Sequence, residues 1–162
     1  MEHIEMILEM AKMQEKLDEA ILEKGRKLGL IEDFDRERCI FALIDELGEL
    51  VHELKGQWCW WKATQKSVDR QKVLEELVDA YHFGLSLDNH NDYFCYENDF
   101  YKENRCYVLG DIQEVINASM DGNLVVPKLY PLTYSLDFTM EEVYNGYIEK
   151  NKENYERIAN GY

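Results

Sequence analysis

Two acidic pairs stand out in this 162-residue chain: Glu46-Leu-Gly-Glu49 and Glu76-Leu-Val-Asp79. On a helix, residues three apart lie about 60° apart around the axis, so each pair presents both carboxylates to one side. Each pair sits among apolar residues, Leu47 and Leu50 beside the first, Leu77 and Val78 beside the second. Two antiparallel helices facing each other would gather the four acids into a buried cluster. Like charges so placed repel strongly unless divalent cations lie between them. Gly48 withdraws a side chain beside the first pair, which eases the approach of a ligand. A plainer reading stands beside this one: acids at this spacing are common on solvated faces, and the chain has 33 Asp+Glu to distribute.

Other spacings compete for the same chemistry. Glu49-Leu-Val-His52 and Asp79-Ala-Tyr-His82 both read as acid-x-x-His, the pattern that di-iron bundles carry on two of four helices. Such bundles need lone glutamates on the other two helices, and the extra acids here, Glu46 and Glu76, fall on the same two. His82, one turn from Asp79, is the better site candidate of the two histidines. Near the C-terminus, Tyr147, Lys150, Asn151, Asn154 and Arg157 fall within an arc of roughly 120°. An apolar stripe normally occupies such an arc. Two cations and two amides are instead the donor set for phosphate oxygens and a nucleobase edge. Metal-binding acids plus a basic stripe make the arrangement that cleaving a polyphosphate requires.

The elements that position these groups are helical. Apolar residues recur at spacings of three and four over His3–Lys24 (Ile4, Ile7, Leu8, Ala11, Leu17, Ile21), with Gly25 and Gly29 behind. A second helix is predicted over Arg36–Lys55, capped by Asp33 or Asp35 and ended by Gly56. A third covers Val68–Leu87 behind Ser67, and a fourth Asp111–Met120 before Gly122. Thr139-Met-Glu-Glu142 is a capping box that opens the last helix. Gln57–Thr64 is an aromatic connection, Asn89–Tyr107 has weak helical signal, and both prolines, Pro127 and Pro131, share one segment. The expectation is one all-α domain, a helical bundle over residues 1–162.

Composition bounds the partners. The net charge of −15 argues against duplex nucleic acid and anionic membranes, which attract basic surfaces, and leaves room for a metal cation. The four cysteines form no Cys-x-x-Cys pair and are expected as free thiols in a cytoplasmic protein. The N-terminus does not resemble a signal peptide, and the longest apolar run, Cys39–Ile44, is too short to span a bilayer.

The acidic pairs resemble those of the all-α nucleoside triphosphate pyrophosphatases, the superfamily of MazG-like enzymes and dimeric dUTPases. Further segments resemble the dimeric dUTPases in particular. Met13-Gln14-Glu-Lys-Leu17-Asp18 is similar to a first motif whose Gln and Asn help form a uracil pocket, with Asp18 standing where Asn is expected. Trp58-Cys-Trp-Trp61-Lys62 resembles the connection after the first acidic pair, and Glu76-Leu-Val-Asp79-Ala-Tyr-His82-Phe83 the second pair with its trailing residues. Lys150-Asn151-x-x-Asn154-x-x-Arg157-x-x-x-Gly161-Tyr162 resembles the closing motif, with Ile158 where Gln is usual. Asn91–Met140 carries no part of the resemblance.

The resemblance implies hydrolysis of dUTP, and of dUDP, to dUMP by a homodimer using Mg²⁺. It implies that Glu46, Glu49, Glu76 and Asp79 hold the metal and that Glu46, or Glu49 one turn away, is the general base. Lys62, Lys150 and Arg157 would meet the outer phosphates, with Asn151, Asn154 and Tyr162 completing the closing motif. Trp61 would stack on the base, whose polar edge would face Gln14, Asp18 and His82. Trp58 and Trp60 read equally well as core or dimer contacts, and Tyr81 and Phe83 as a wall beside the 2′ carbon. Asp18 keeps a related pyrophosphatase acting on dCTP or a modified dNTP in play. An acidic helical interaction protein without catalysis is the more distant alternative.

Overall fold

A computed structural model describes residues 1–92, 96, 100 and 107–161. Two of the four cysteines, Cys95 and Cys106, and Tyr162 of the closing motif lie outside the described residues. Among those described there are seven helices and no strand: α1 (His3–Lys27), α2 (Arg36–Glu53), α3 (Lys55–Trp58), α4 (Arg70–Asn89), α5 (Val108–Asp121), α6 (Val126–Ser135) and α7 (Met140–Asn160). The all-α bundle expected from periodicity is the fold observed. α4 is the central element, packing against α1, α2, α6 and α7. It buries eleven residues, from Val73 to Asp88, because apolar or small residues occupy most of its circumference.

Helix ends follow local chemistry. Asp35 caps α2 through its side chain, accepting from Arg38 N–H, and the Thr139/Glu142 capping box opens α7 as predicted. Gly122, in the left-handed region at φ 75°, ends α5. Three expectations are corrected. Asp69 rather than Ser67 caps α4, accepting from Gln71 and Lys72 N–H. Gly25 lies inside α1, which runs to Lys27 before Gly29 turns the chain at φ 68°. α2 closes at Leu54, so Gly56 falls within the short α3.

Two differences have packing causes. The inward face of α1 is Met6, Ile7, Met10, Ala11, Gln14, Leu17 and Asp18. Ile4, Leu8 and Ile21 of the predicted stripe are exposed. Counting apolar residues misplaces this face because two of its members are polar and paired inside. The proline segment is itself a helix, α6, with Pro127 in its first turn and Pro131 inside it. Pro127 removes a donor that has no intrahelical partner at that end. The start of α6 is held by buried Asp88, whose carboxylate accepts from Val125 N–H (2.7 Å), Val126 N–H (2.9 Å) and Tyr96 O–H (2.9 Å).

Gly146 sets the approach of α7 to α4: a Cβ there would lie 3.0 Å from Val78 Cγ2. That close passage brings the polar stripe of α7 onto the acidic turn of α4. No helix among the described residues is long and apolar enough to cross a membrane.

Candidate active site

α2 and α4 bring three of the four acids together. Glu46, Glu49 and Glu76 each offer a carboxylate oxygen within 4.8 Å of the others. Glu46 and Glu76 are half-buried and Glu49 is exposed, so the cluster opens to solvent rather than being buried as expected. The fourth acid, Asp79, accepts a 2.6 Å hydrogen bond from Lys150 Nζ on α7. Its field still reaches Glu46, whose carboxyl is pushed up to about 7 by burial and by Asp79, Glu49 and Glu76. Glu76 is raised to about 6, first by burial and then by Glu49 and Asp79. Burial also raises Asp79 against the opposing pull of Lys150. Without a compensating cation the group resists holding its full negative charge.

The donor set is all carboxylate oxygen, which suits a hard divalent ion such as Mg²⁺. It does not suit the di-iron reading: neither histidine joins the trio, His52 being exposed and His82 engaged elsewhere. A Cβ on Gly48 would meet nothing within 4 Å, so glycine leaves that face of α2 open.

The second half of the site is a buried polar network between α1, α4 and α7. Gln14 is its hub. Its Oε1 accepts from Tyr147 O–H (2.7 Å) and from His82 Nδ1 (2.7 Å), and its Nε2 donates to Asp18 Oδ1 (2.8 Å) and Ser86 Oγ (2.9 Å). Ser86 O–H donates onward to Asp18 Oδ1 at 2.8 Å. His82 stacks on Tyr147, centroids 4.1 Å apart and planes 17° from parallel. Burial, then the charge of Lys150, pushes the His82 imidazole down to about 3, so it is neutral. Gln14 spends both lone pairs and both N–H groups on protein. In this arrangement all four of its hydrogen-bonding positions are taken by protein groups.

Among the described residues three buried polar atoms have no partner, and all belong to this region: Asp18 Oδ2, His82 Nε2 and Asn151 Nδ2. Buried polar groups are normally paired, and these three are the exceptions among the described residues. Tyr147 of the predicted polar arc joins the network, and so does Ser86, which the sequence pattern does not single out. The place of Ser86 one turn from His82, on the same face of α4, is the signal that could have found it.

The remaining candidates lie around this core. Asn154 is half-buried on the same stripe of α7, and exposed Arg157 pairs with Glu153 at 2.6 Å. Trp61 is 58% exposed and meets Trp58 and Trp60 edge-on. Trp58 donates to Val51 C=O and packs on the core, whereas Trp60 is exposed. Lys62 lines a cavity of about 610 Å³ with Lys55, Lys66, Lys72, His52 and Glu53. No hydrogen bond, ion pair or ring contact among the described residues joins Trp61 or Lys62 to the Gln14 network. Tyr81 is fully buried, its hydroxyl bonded to Thr133 Oγ1 at 2.9 Å, and so forms no wall beside a sugar. Phe83 is half-buried against the core. Cys39 and Cys59 are free and buried, and burial pushes the Cys39 thiol up to about 12.

No curated protein matches the chain. The family model described as dUTPase matches residues 6–162, essentially all of it. The chain belongs to the all-α dimeric dUTPase family and is a dUTP diphosphatase.

Proposed function

We propose that this dUTPase acts with Mg²⁺, converting dUTP, and dUDP as well, to dUMP. The observation that carries the reading is the adjacency of two chemistries along the same two helices. On α4, Asp79 of the acidic site and His82 of the buried network are three residues apart, and on α7 Lys150 and Asn151 are consecutive. A nucleotide needs that adjacency, with its base against unpaired buried donors and acceptors and its phosphates against charge.

Glu46, Glu49 and Glu76, with Asp79 beside them, would hold the Mg²⁺. Bound there, the ion supplies neutralising charge for the phosphates and makes a neighbouring water easier to deprotonate. Glu46, or Glu49 one turn away, accepts the proton of the attacking water at its carboxylate. Lys150, Arg157 and the Lys62 cavity offer cations to the outer phosphates. Asn154 lies between the two ends of that stripe. Trp61 has its face available for a base or sugar. A homodimer acting in the cytoplasm on small nucleotides, without nucleic-acid polymer or membrane, completes the proposal. The reading as a dCTP or modified-dNTP hydrolase rests on Asp18, whose bare Oδ2 could accept from an amino group.

The test is to incubate the protein with Mg²⁺ and each of dUTP, dUDP, dCTP, dTTP and UTP, then identify the products by chromatography. Selective dUMP formation, lost in excess chelator, is expected. Selective dCMP formation overturns the base assignment, and undiminished turnover in chelator overturns the metal.

A further inference from the structure

The three unpartnered atoms of the buried network have different hydrogen-bonding characters. His82 donates Nδ1–H to the Gln14 carbonyl, so its Nε2 carries a lone pair and can only accept. Asn151 Nδ2 can only donate. Asp18 Oδ2 accepts if the carboxyl is ionised and donates if it is neutral. The three residues are 5%, 5% and 8% exposed, respectively, so water does not easily stand in for a ligand.

Uracil presents two carbonyl oxygens flanking one N–H. Its complement is two donors flanking one acceptor, and His82 and Asn151 supply the acceptor and one donor. We infer that Asp18 supplies the second donor, reading the base as a neutral carboxylic acid whose Oδ2–H is donated to a base carbonyl oxygen. This rests on the proposal that the network receives the base.

The bonding of the carboxyl agrees. Oδ1 receives both Gln14 Nε2 and Ser86 O–H, as the carbonyl oxygen of an acid would, while Oδ2 is bare. An ionised oxygen left bare in that position is costly, and a proton removes the cost. His90 Nδ1 is 3.9 Å from Oδ2, beyond hydrogen-bond reach, and is engaged with Ser86 C=O at 2.9 Å. No lysine or arginine is within ion-pair distance of Asp18 among the described residues. The titratable groups around it are His90 at the C-cap of α4 and, through Gln14, His82 on α4; Cys39 on α2; Tyr147 and Tyr155 on α7; and Glu19 on α1. Burial raises the Asp18 carboxyl against the opposing pull of Gln14, Ser86 and His90.

The consequence is a base preference that depends on pH. Cytosine carries an amino group where uracil has its second carbonyl, so it needs an acceptor there. A neutral Asp18 opposes that amino group and an ionised one accepts from it, while cytosine's bare ring N3 meets the His82 Nε2 lone pair at every pH, a penalty that Asp18 does not change. The neutral fraction falls as pH rises through the carboxyl's pKa, so preference for uracil must fall in the same direction.

The experiment is the ratio of kcat/KM for dUTP to that for dCTP across pH, kept below the pH at which uracil's own N–H ionises. The two substrates share metal and phosphates, so the pH dependences of those cancel in the ratio. In the unaltered protein the ratio should decline with pH by about tenfold per unit, since it follows the ratio of neutral to ionised Asp18. Asp18→Asn donates at every pH and should flatten the profile. A flat ratio in the unaltered protein, or the same decline in Asp18→Asn, overturns the inference. Carboxyl ¹³C NMR on protein with labelled aspartate reads the charge directly and needs no active variant. Asp18 should give the signal of a neutral acid at a pH where exposed aspartates are ionised, and a carboxylate signal there overturns it. Absence of any dUMP from dUTP and Mg²⁺ would instead sink the underlying proposal, a result distinct from turnover with a flat ratio.

Discussion

Lys150 Nζ on α7 donates to Asp79 Oδ2 on α4 at 2.6 Å, with both side chains mostly buried. The pair separates Asp79 from the trio of glutamates and places a cation at the border between acidic cluster and buried network. Lys150→Met keeps the stem of the side chain and removes its charge. The cluster then becomes more negative, so Mg²⁺ should bind more tightly by calorimetry. The same substitution removes a charge from the phosphates, and kcat/KM for dUTP should fall about tenfold or more. A structural brace alone would not move the two measurements in opposite directions.

Glu49→Ala and Asp79→Ala test the acidic site itself. Each should abolish metal-dependent pyrophosphate release while leaving helical circular dichroism intact, since neither side chain is in the apolar core. Retained turnover in both would remove these residues from the site.

The raised carboxyls also make a prediction about the metal-free protein. Glu46 sits at about 7 and Glu76 at about 6, against 4.5 for an unperturbed glutamate. Between those values the folded chain binds more protons than the unfolded one, so the stability these groups allow is present at the low end and lost as pH rises. In chelator, Tm should therefore fall between about pH 5 and about pH 7, and Glu46→Gln should make that fall shallower. Added Mg²⁺ should raise Tm most at the upper end, where the acids are ionised.

Arg157 is exposed and pairs with Glu153 one turn away, a kind of contact that contributes only about 0.5 kcal/mol. Arg157→Ala should leave Tm nearly unchanged and lower kcat/KM for dUTP by weakening the hold on the outer phosphates. Unchanged kcat/KM would take the end of the α7 stripe out of the mechanism.

Spacing made much of this site legible. The i,i+3 acids and the polar arc of α7 need only helical periodicity to be recognised; α2 and α7 formed behind predicted caps, and α4 within two residues of its predicted span though behind a different cap. Their relation across space was not legible. That Asp79 goes to Lys150 instead of to the glutamates depends on how closely Gly146 lets α7 approach. α6 was hidden because Pro127 and Pro131 read as breakers, although a proline in the first helical turn costs no hydrogen bond. The inward face of α1 was misjudged for a different reason. Gln14 and Asp18 look solvated in a one-dimensional pattern, and only partners 68 to 133 residues away make their burial possible.

Those distant partners make Gln14 the most sensitive position in the network. Its amide satisfies Tyr147, His82, Asp18 and Ser86 at once, and a sequence motif alone suggested that it touched the base. A residue with no free donor or acceptor acts instead by fixing the His82 tautomer and the open oxygen of Asp18. Gln14→Leu preserves much of the volume and strips all four bonds, leaving several buried groups unsatisfied. It should lower stability by about 2–5 kcal/mol, because each orphaned group brings a desolvation cost and the losses are coupled. Thermal or urea unfolding would measure this. Where the variant is still folded, preference for dUTP over dCTP should weaken more than kcat does, since the acids are untouched. A direct hydrogen bond from Gln14 to the base predicts the opposite weighting: a large loss in KM with the Asp18-dependent pH profile intact.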